Sequence, residues 1–170
     1  MPDILVHKME HCSLVGVVAD IGAENFSGLS KDNGGFDWVW GNFLVHPRMQ
    51  YYLAVDKVQR EVLAYILWVE HGGFRPEAFF ELEQVAVRKI YQSEGVGSKL
   101  IVQSKELISA YLKQKGRWLK TIKVTTDKEN TKAQALYAKT LGAVVESDVK
   151  SPYKDGHIEV EMYARYQKTA

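Results

Sequence analysis

The sequence predicts an α/β or α+β fold occupying residues 1–170 as a single domain. Its hydrophobic spacing switches several times between the period of about 3.6 of a helix and the period of about 2 of a strand, with no repeat, low-complexity tract or linker between. The composition is that of an ordinary globular chain, with 46% hydrophobic residues, 25% charged residues and 4 prolines, and its 170 residues suffice to bury one good core.

Each element follows from local signals. Residues 4–9 read as a first strand and 11–21 as a helix, after which the region holding Gly28, Asn33, Gly34 and Gly35 shows little periodicity. Residues 51–56 and 61–69 are rich in aromatic and β-branched side chains and are joined by a polar stretch, which is the pattern of an antiparallel hairpin. After the break at His71, Gly72 and Gly73, residues 79–87 alternate. Phe79, Glu81, Glu83, Val85 and Val87 are expected on one face, with Phe80, Leu82, Gln84 and Ala86 on the other.

A glycine-containing loop follows, then a long helix with the stripe Leu100, Ile101, Ser104, Leu107, Ile108, Tyr111 and Leu112. Lys113 and Lys115 favour the negative end of its dipole, and Gly116 suits a left-handed closing position. Residues 122–126 form a short strand, and 131–141 a second helix capped by Asn130 or Thr131 and closed by Gly142. Residues 143–149 and 157–166 complete the sheet as a hairpin around Pro152, turning at Asp155-Gly156.

Charge and cysteine usage narrow the function. A formal net charge of +1 supplies no basic field for a nucleic-acid backbone, so no nucleic-acid partner is expected. The single cysteine, Cys12, has no partner for an internal disulfide and no metal-ligand spacing around it, and the histidines form no H-E-x-x-H pair. No metal site is expected. Apolar runs fall well short of the roughly 20 residues that cross a bilayer, and the start at Met1-Pro2-Asp3 lacks the pattern of a secretory signal. A cytoplasmic protein without a membrane partner is the expectation.

The segment Gln92-Ser93-Glu94-Gly95-Val96-Gly97-Ser98 lies between a predicted strand and a helix start. Free N–H groups and the dipole at a helix N-terminus favour an anion, and glycines let a phosphate approach the backbone. Alternatively, Gly95 and Gly97 only permit a tight turn. The third glycine of a dinucleotide fingerprint is missing after Gly97, and no Gly-Lys-Ser/Thr follows as in a Walker loop. The remaining pattern, Gln92-x-x-Gly95-x-Gly97 after Val85-Ala86-Val87, resembles the acetyl-coenzyme A motif of the GNAT (Gcn5-related N-acetyltransferase) superfamily. Asn130, Ala133, Ala135, Leu136, Tyr137, Leu141, Gly142 and Ala143 resemble that family's second motif.

This resemblance implies a mixed, mostly antiparallel central sheet of about six or seven strands flanked by about four helices. It also implies an enzyme that transfers an acetyl group from acetyl-CoA to a primary amine of a small molecule or peptide, often as a homodimer. By the same resemblance, the backbone of Val85, Ala86 and Val87 would hold the pantetheine arm, and the amides of Gln92, Ser93, Glu94, Gly95, Val96, Gly97 and Ser98 the pyrophosphate. Asn130 would contact the cofactor, although it also suits a plain helix cap. Glu94 departs from the pattern by placing a negative charge near an anion, and Arg88, Lys89 or Lys99 could offset it. A CoA-binding sensor without turnover is the competing reading.

Acylation of an amine needs a proton acceptor, since a free alkyl amine has a pKa near ~10. Glu81 matches the position of the glutamate base in some members, with Glu83 beside it, and neighbouring carboxylates raise one another's pKa. A solvated strand face explains both residues equally. Tyr137 matches the family's general acid for the departing thiolate, or is a core tyrosine. The acceptor is expected near residues 26–51, where Phe26, Phe36, Trp38, Trp40, Phe43 and Tyr51 accompany Asp32 and Asp37. Rings and carboxylates suit a cationic amine, although the rings could equally pack the early helices onto the sheet.

Overall fold

The computed structural model describes residues 2–29 and 34–168. Among the described residues seven strands form one sheet: β1 (Ile4–Lys8), β2 (Met49–Asp56), β3 (Val62–His71), β4 (Glu77–Val87), β5 (Trp118–Asp127), β6 (Val144–Lys150) and β7 (Ile158–Arg165). Their spatial order is β1-β2-β3-β4-β5-β7-β6. Every neighbouring pair is antiparallel except β4 and β5, which run parallel. Four α-helices accompany the sheet: α1 (Val15–Asn25), α2 (Gly35–Leu44), α3 (Val96–Gln114) and α4 (Thr131–Leu141).

The sheet divides two cores. On one face Val15, Val18 and Ile21 of α1 and Val39 of α2 pack on Tyr51, Leu53, Tyr65 and Leu67. On the other, Leu100, Ile101, Ile108 and Leu112 of α3 and Leu141 of α4 pack on Ile66, Trp68, Phe80, Val124 and Met162. Helices on both faces explain why β3 reads as a nearly continuous apolar run. Each fully buried aliphatic side chain of α3 contributes about 1.5–3 kcal/mol. Ser104 interrupts that stripe without penalty because its hydroxyl accepts the Trp68 indole N–H at 3.0 Å and donates to the Ile101 carbonyl at 3.2 Å.

Three expectations are corrected. Residues 35–44 form α2, although the region lacks a helical hydrophobic pattern, because its buried members are Gly35, Val39 and Asn42. Two of those three are not hydrophobic, while Phe36, Trp38 and Trp40 face outward at 47%, 44% and 37% exposure. The stripe is inverted, so periodicity cannot report it. Asp32 and Asn33 lie outside the described residues. In α3 the stripe holds except at Leu107, which is 40% exposed.

The third correction concerns β4. Leu67 pairs with Gln84 and Trp68 with Leu82, so Glu83 is an extra residue in a β-bulge. Before the bulge, Phe80 and Leu82 enter the α3–α4 core, which leaves Phe79 and Glu81 on the α1–α2 side. After it the phase reverses: Ala86 enters the α1–α2 core, and Val85 and Val87 pack against the α3–α4 core. The expected single face of Phe79, Glu81, Glu83, Val85 and Val87 is therefore split at Glu83.

Candidate active site

β4 and β5 pair only as far as Leu82 and Val124. Beyond that point β4 stays with β3 through Val87, while β5 stays with β7 through Asp127. The two facing edges part, and a cleft of about 580 Å³ opens between them. Val85 and Val87 line it. Ala86 does not, because the bulge turns it into the α1–α2 core at 2% exposure. Its backbone still belongs to the unpaired edge.

At one end of the cleft the chain makes a 3-10 turn at Lys89–Tyr91 and enters α3. Gly95 is the N-cap in the left-handed region at φ 79°, with no side-chain acceptor at the helix start. A glycine takes that conformation without the cost a Cβ would add. The first intrahelical bond runs from the Lys99 amide to the Gly95 carbonyl at 3.0 Å. The amides of Val96, Gly97 and Ser98 are thus left as outward donors, and all three residues line the cleft with Gln92 and Ser93. Glu94 is exposed and is not part of the wall.

The loop is anchored through side chains. Gln92 Nε2 donates to Asn25 Oδ1 at 3.0 Å and to the Val87 carbonyl at 3.2 Å, and Asn25 Nδ2 donates to that same carbonyl at 3.1 Å. The Gln92 amide therefore ties the loop to the end of α1. α1 itself sits close over β3: a Cβ on Gly22 would meet the Tyr65 hydroxyl at 3.0 Å. Arg88, expected among the charges offsetting Glu94, instead pairs with Glu24 at 2.7 Å and Glu61 at 3.4 Å. The cation on the cleft wall is Lys132 in the first turn of α4. Its signal in the sequence was its place two residues after Asn130. Asn25, Phe26, Thr125 and Thr126 also line the cleft and carry no motif of their own.

From α4 come Asn130 and Tyr137. Asn130 caps the helix, its side chain accepting from the Ala133 amide at 3.1 Å, and it also faces the cleft. Tyr137 is 7% exposed, and burial pushes its hydroxyl up to about 12. No described group hydrogen-bonds that hydroxyl, yet among the described residues no sealed side-chain nitrogen or oxygen lacks a partner, so the hydroxyl opens onto the cleft.

Glu81 and Glu83 differ sharply. One oxygen of Glu81 is 2.9 Å from His71 Nε2 and the other 3.6 Å from Lys123 Nζ, and Glu81 does not line the cleft. Glu83, at the bulge, does line it and forms no salt bridge within the described structure. Desolvation and then the charge of Glu81 raise its carboxyl above the usual range, against the pull of His71 and Lys123. A carboxylate and a phenol thus face one cleft whose far end presents free amides.

The aromatic segment disperses. Phe26 reaches the cleft, whereas Tyr51 is buried with its hydroxyl accepting from Asn42 at 3.3 Å. Phe43 packs against the α1–α2 core. Phe36 and Trp40 stack on each other at the surface with centroids 6.4 Å apart. Asp37 lies in the first turn of α2 and is exposed.

Comparison with solved structures finds the same fold in known acetyltransferases. A chimera of the spermidine N-acetyltransferase SpeG of Vibrio cholerae and hSSAT superposes with a TM-score of 0.74 at 17% identity, covering 95% of each chain. The ribosomal-protein-S18-alanine N-acetyltransferase of Escherichia coli superposes with a TM-score of 0.73 at 16% identity, covering 98% of this chain and 96% of the other. A search of curated proteins returned no match. The acetyltransferase (GNAT) family model matches residues 19–143, a span that runs from α1 through the cleft loop to the end of α4, and the chain belongs to that family.

Proposed function

We propose that the protein transfers the acetyl group of acetyl-CoA to a primary amine of a small molecule or peptide, both substrates being bound at once. The observation that carries this reading is the convergence of Glu83, Tyr137 and the helix-start amides of α3 on one cleft. The cleft suits acetyl-CoA. The unpaired edge of β4 offers backbone groups to an amide-bearing arm, and the amides of Val96, Gly97 and Ser98 with Lys132 offer donors and charge to a pyrophosphate. When bound, acetyl-CoA supplies the activated acetyl group.

The residues divide the remaining work. Glu83 accepts the proton of the attacking amine, directly or through water; its raised carboxyl is a better base than an ordinary glutamate. Glu81, held by His71 and Lys123, is not the base in this reading. Tyr137, neutral throughout the working range, donates a hydrogen bond toward the departing sulfur. Positioning supplies the rest, since two substrates held in one cleft react without the entropy cost of a collision. Cys12 lies exposed and takes no part. A cytoplasmic location and a homodimer accompany the proposal, the latter checked by the mass of the purified protein in solution.

The test is calorimetric titration with acetyl-CoA followed by thiol release against a panel of amines that includes spermidine, lysine and short peptides. Saturable binding with release in the presence of an amine is the expected result. Binding without release from any amine would make the protein a CoA-binding sensor, and absence of binding would remove the cofactor assignment.

A further inference from the structure

α1 and α2 pack on β2, β3 and β4. The same face of the sheet continues over β5 and β7, and there it carries charge. His71 on β3, Glu81 on β4, Lys123 on β5 and Glu161 on β7 form a chain across four strands, with Ser147 of β6 at its end. The contacts are His71 Nε2 to Glu81 at 2.9 Å, Lys123 Nζ to Glu81 at 3.6 Å and to Glu161 at 2.8 Å, and the Ser147 hydroxyl donating to Glu161 at 2.7 Å. Side-chain exposures of 36%, 21%, 22% and 22% for the four titratable members place the chain where solvent screening is partial. Both oxygens of Glu81 and both of Glu161 are engaged. Glu83, the next acidic residue of β4, is the unpaired carboxylate beside this chain.

From the geometry we infer that Lys123, shared between Glu81 and Glu161, is a positioning residue that sets the protonation of Glu83 by neutralising its nearest carboxylate. The inference rests on the reading that Glu83 accepts the amine proton. Without Lys123, Glu81 would keep only the His71 ring nitrogen and Glu161 only the Ser147 hydroxyl on the face that Glu83 shares, and like charges so placed hold a proton more tightly. The groups bearing on Glu83 are Glu81 on its own strand, His71 and Lys123 on the flanking strands, Tyr51 on β2, and Tyr137 of α4 across the cleft. Lys123 is the ammonium on the strands flanking Glu83, and Lys132 faces the same cleft from α4.

The shared ammonium makes opposite predictions for its own loss and for the loss of Glu161. Lys123→Met should move the acid limb of the kcat/KM profile to higher pH by about half to one unit, and Lys123→Arg should restore it. Glu161→Gln, which leaves the ammonium wholly to Glu81, should move the limb to lower pH. Affinity for acetyl-CoA should stay unchanged in all three. A limb that stays in place in Lys123→Met, or shifts in the same direction in Glu161→Gln, overturns the inference. If Lys123→Met does not fold, a carbon-13 titration of the Glu83 carboxyl in Lys123→Gln decides the matter: an upward shift is expected, and an unchanged titration overturns the inference. Failure of the underlying reading looks different: Glu83→Gln would then keep wild-type kcat and an intact acid limb.

Discussion

Replacing Tyr137 by phenylalanine separates a catalytic hydroxyl from a core ring. The hydroxyl sits at about 12, and a departing thiolate has an ordinary pKa of about 8.5, so complete proton transfer between them is uphill by about 3.5 units, or about 5 kcal/mol. The useful interaction is a hydrogen bond to a sulfur that is gaining charge. Hydrogen bonds to charged groups contribute about 1.5–3 kcal/mol, so kcat should fall roughly ten- to a hundredfold. Stability should not follow. The hydroxyl makes no hydrogen bond within the described structure, and the ring keeps its place beside Leu136 and Leu141 in the α3–α4 core. A change within about 0.5 kcal/mol is expected, toward greater stability if anything. Thiol release at saturating substrates, calorimetric titration with acetyl-CoA and a thermal melt read the three quantities separately. An unchanged kcat, or a loss of kcat accompanied by a melting point several degrees lower, would refute the assignment.

Other perturbations test the frame around that hydroxyl. Glu83→Gln should abolish the acid limb of kcat/KM: the raised carboxyl is protonated and inactive below its pKa and becomes a base as pH rises, so wild-type activity climbs through a limb above the ordinary glutamate value of 4.5, and the amide has nothing to titrate. Gly95→Ala forces a Cβ into the left-handed cap at φ 79°, at a cost of about 1–2 kcal/mol, and should weaken acetyl-CoA binding several-fold by calorimetry while leaving the amine KM alone. Arg117→Met strands the Glu70 carboxylate, which is 7% exposed, and should cost about 3–5 kcal/mol. With an unfolding entropy of about 2.1 cal/mol/K per residue over 170 residues, that lowers the melting temperature by about 8–14 °C, and a shift under 2 °C would show the pair to be dispensable.

What the sequence disclosed depended on whether the deciding interaction was local. α4 was readable, with its cap narrowed to Asn130 or Thr131, because its limits are set by neighbours in the chain: Asn130 bonds the Ala133 amide at 3.1 Å, and Gly142 takes φ 71°. The loop before α3 was readable for the same reason. α2 was not, because Gly35 and Asn42 occupy its buried face and the large rings turn outward. The charges that accompany the cleft were equally hidden. Arg88 is taken by Glu24 from 64 positions earlier in the chain, and Lys123 meets Glu81 and Glu161 only because β5 lies between β4 and β7.

The bulge at Glu83 is the case where local reading points the wrong way. Alternation through residues 79–87 continues to look regular because helices cover both faces of the strand, so apolar residues suit either phase. Yet the shift changes three things at one level of the sheet. Leu82 is the last residue of β4 paired with β5, so the edges part directly after it. The reversal of phase turns Val85 and Val87 toward the α3–α4 side, where they wall the cleft that the parting opens. The extra residue is left unpaired at the cleft mouth, and that residue is Glu83. In a strand without the bulge, Val85 and Val87 would lie on the α1–α2 side together with Glu81 and Glu83. The preference for Glu83 over Glu81 as the base therefore follows from where β4 leaves β5: Glu81 still lies in the paired stretch, whereas Glu83 is the first residue past it, although the two glutamates are chemically the same and two residues apart.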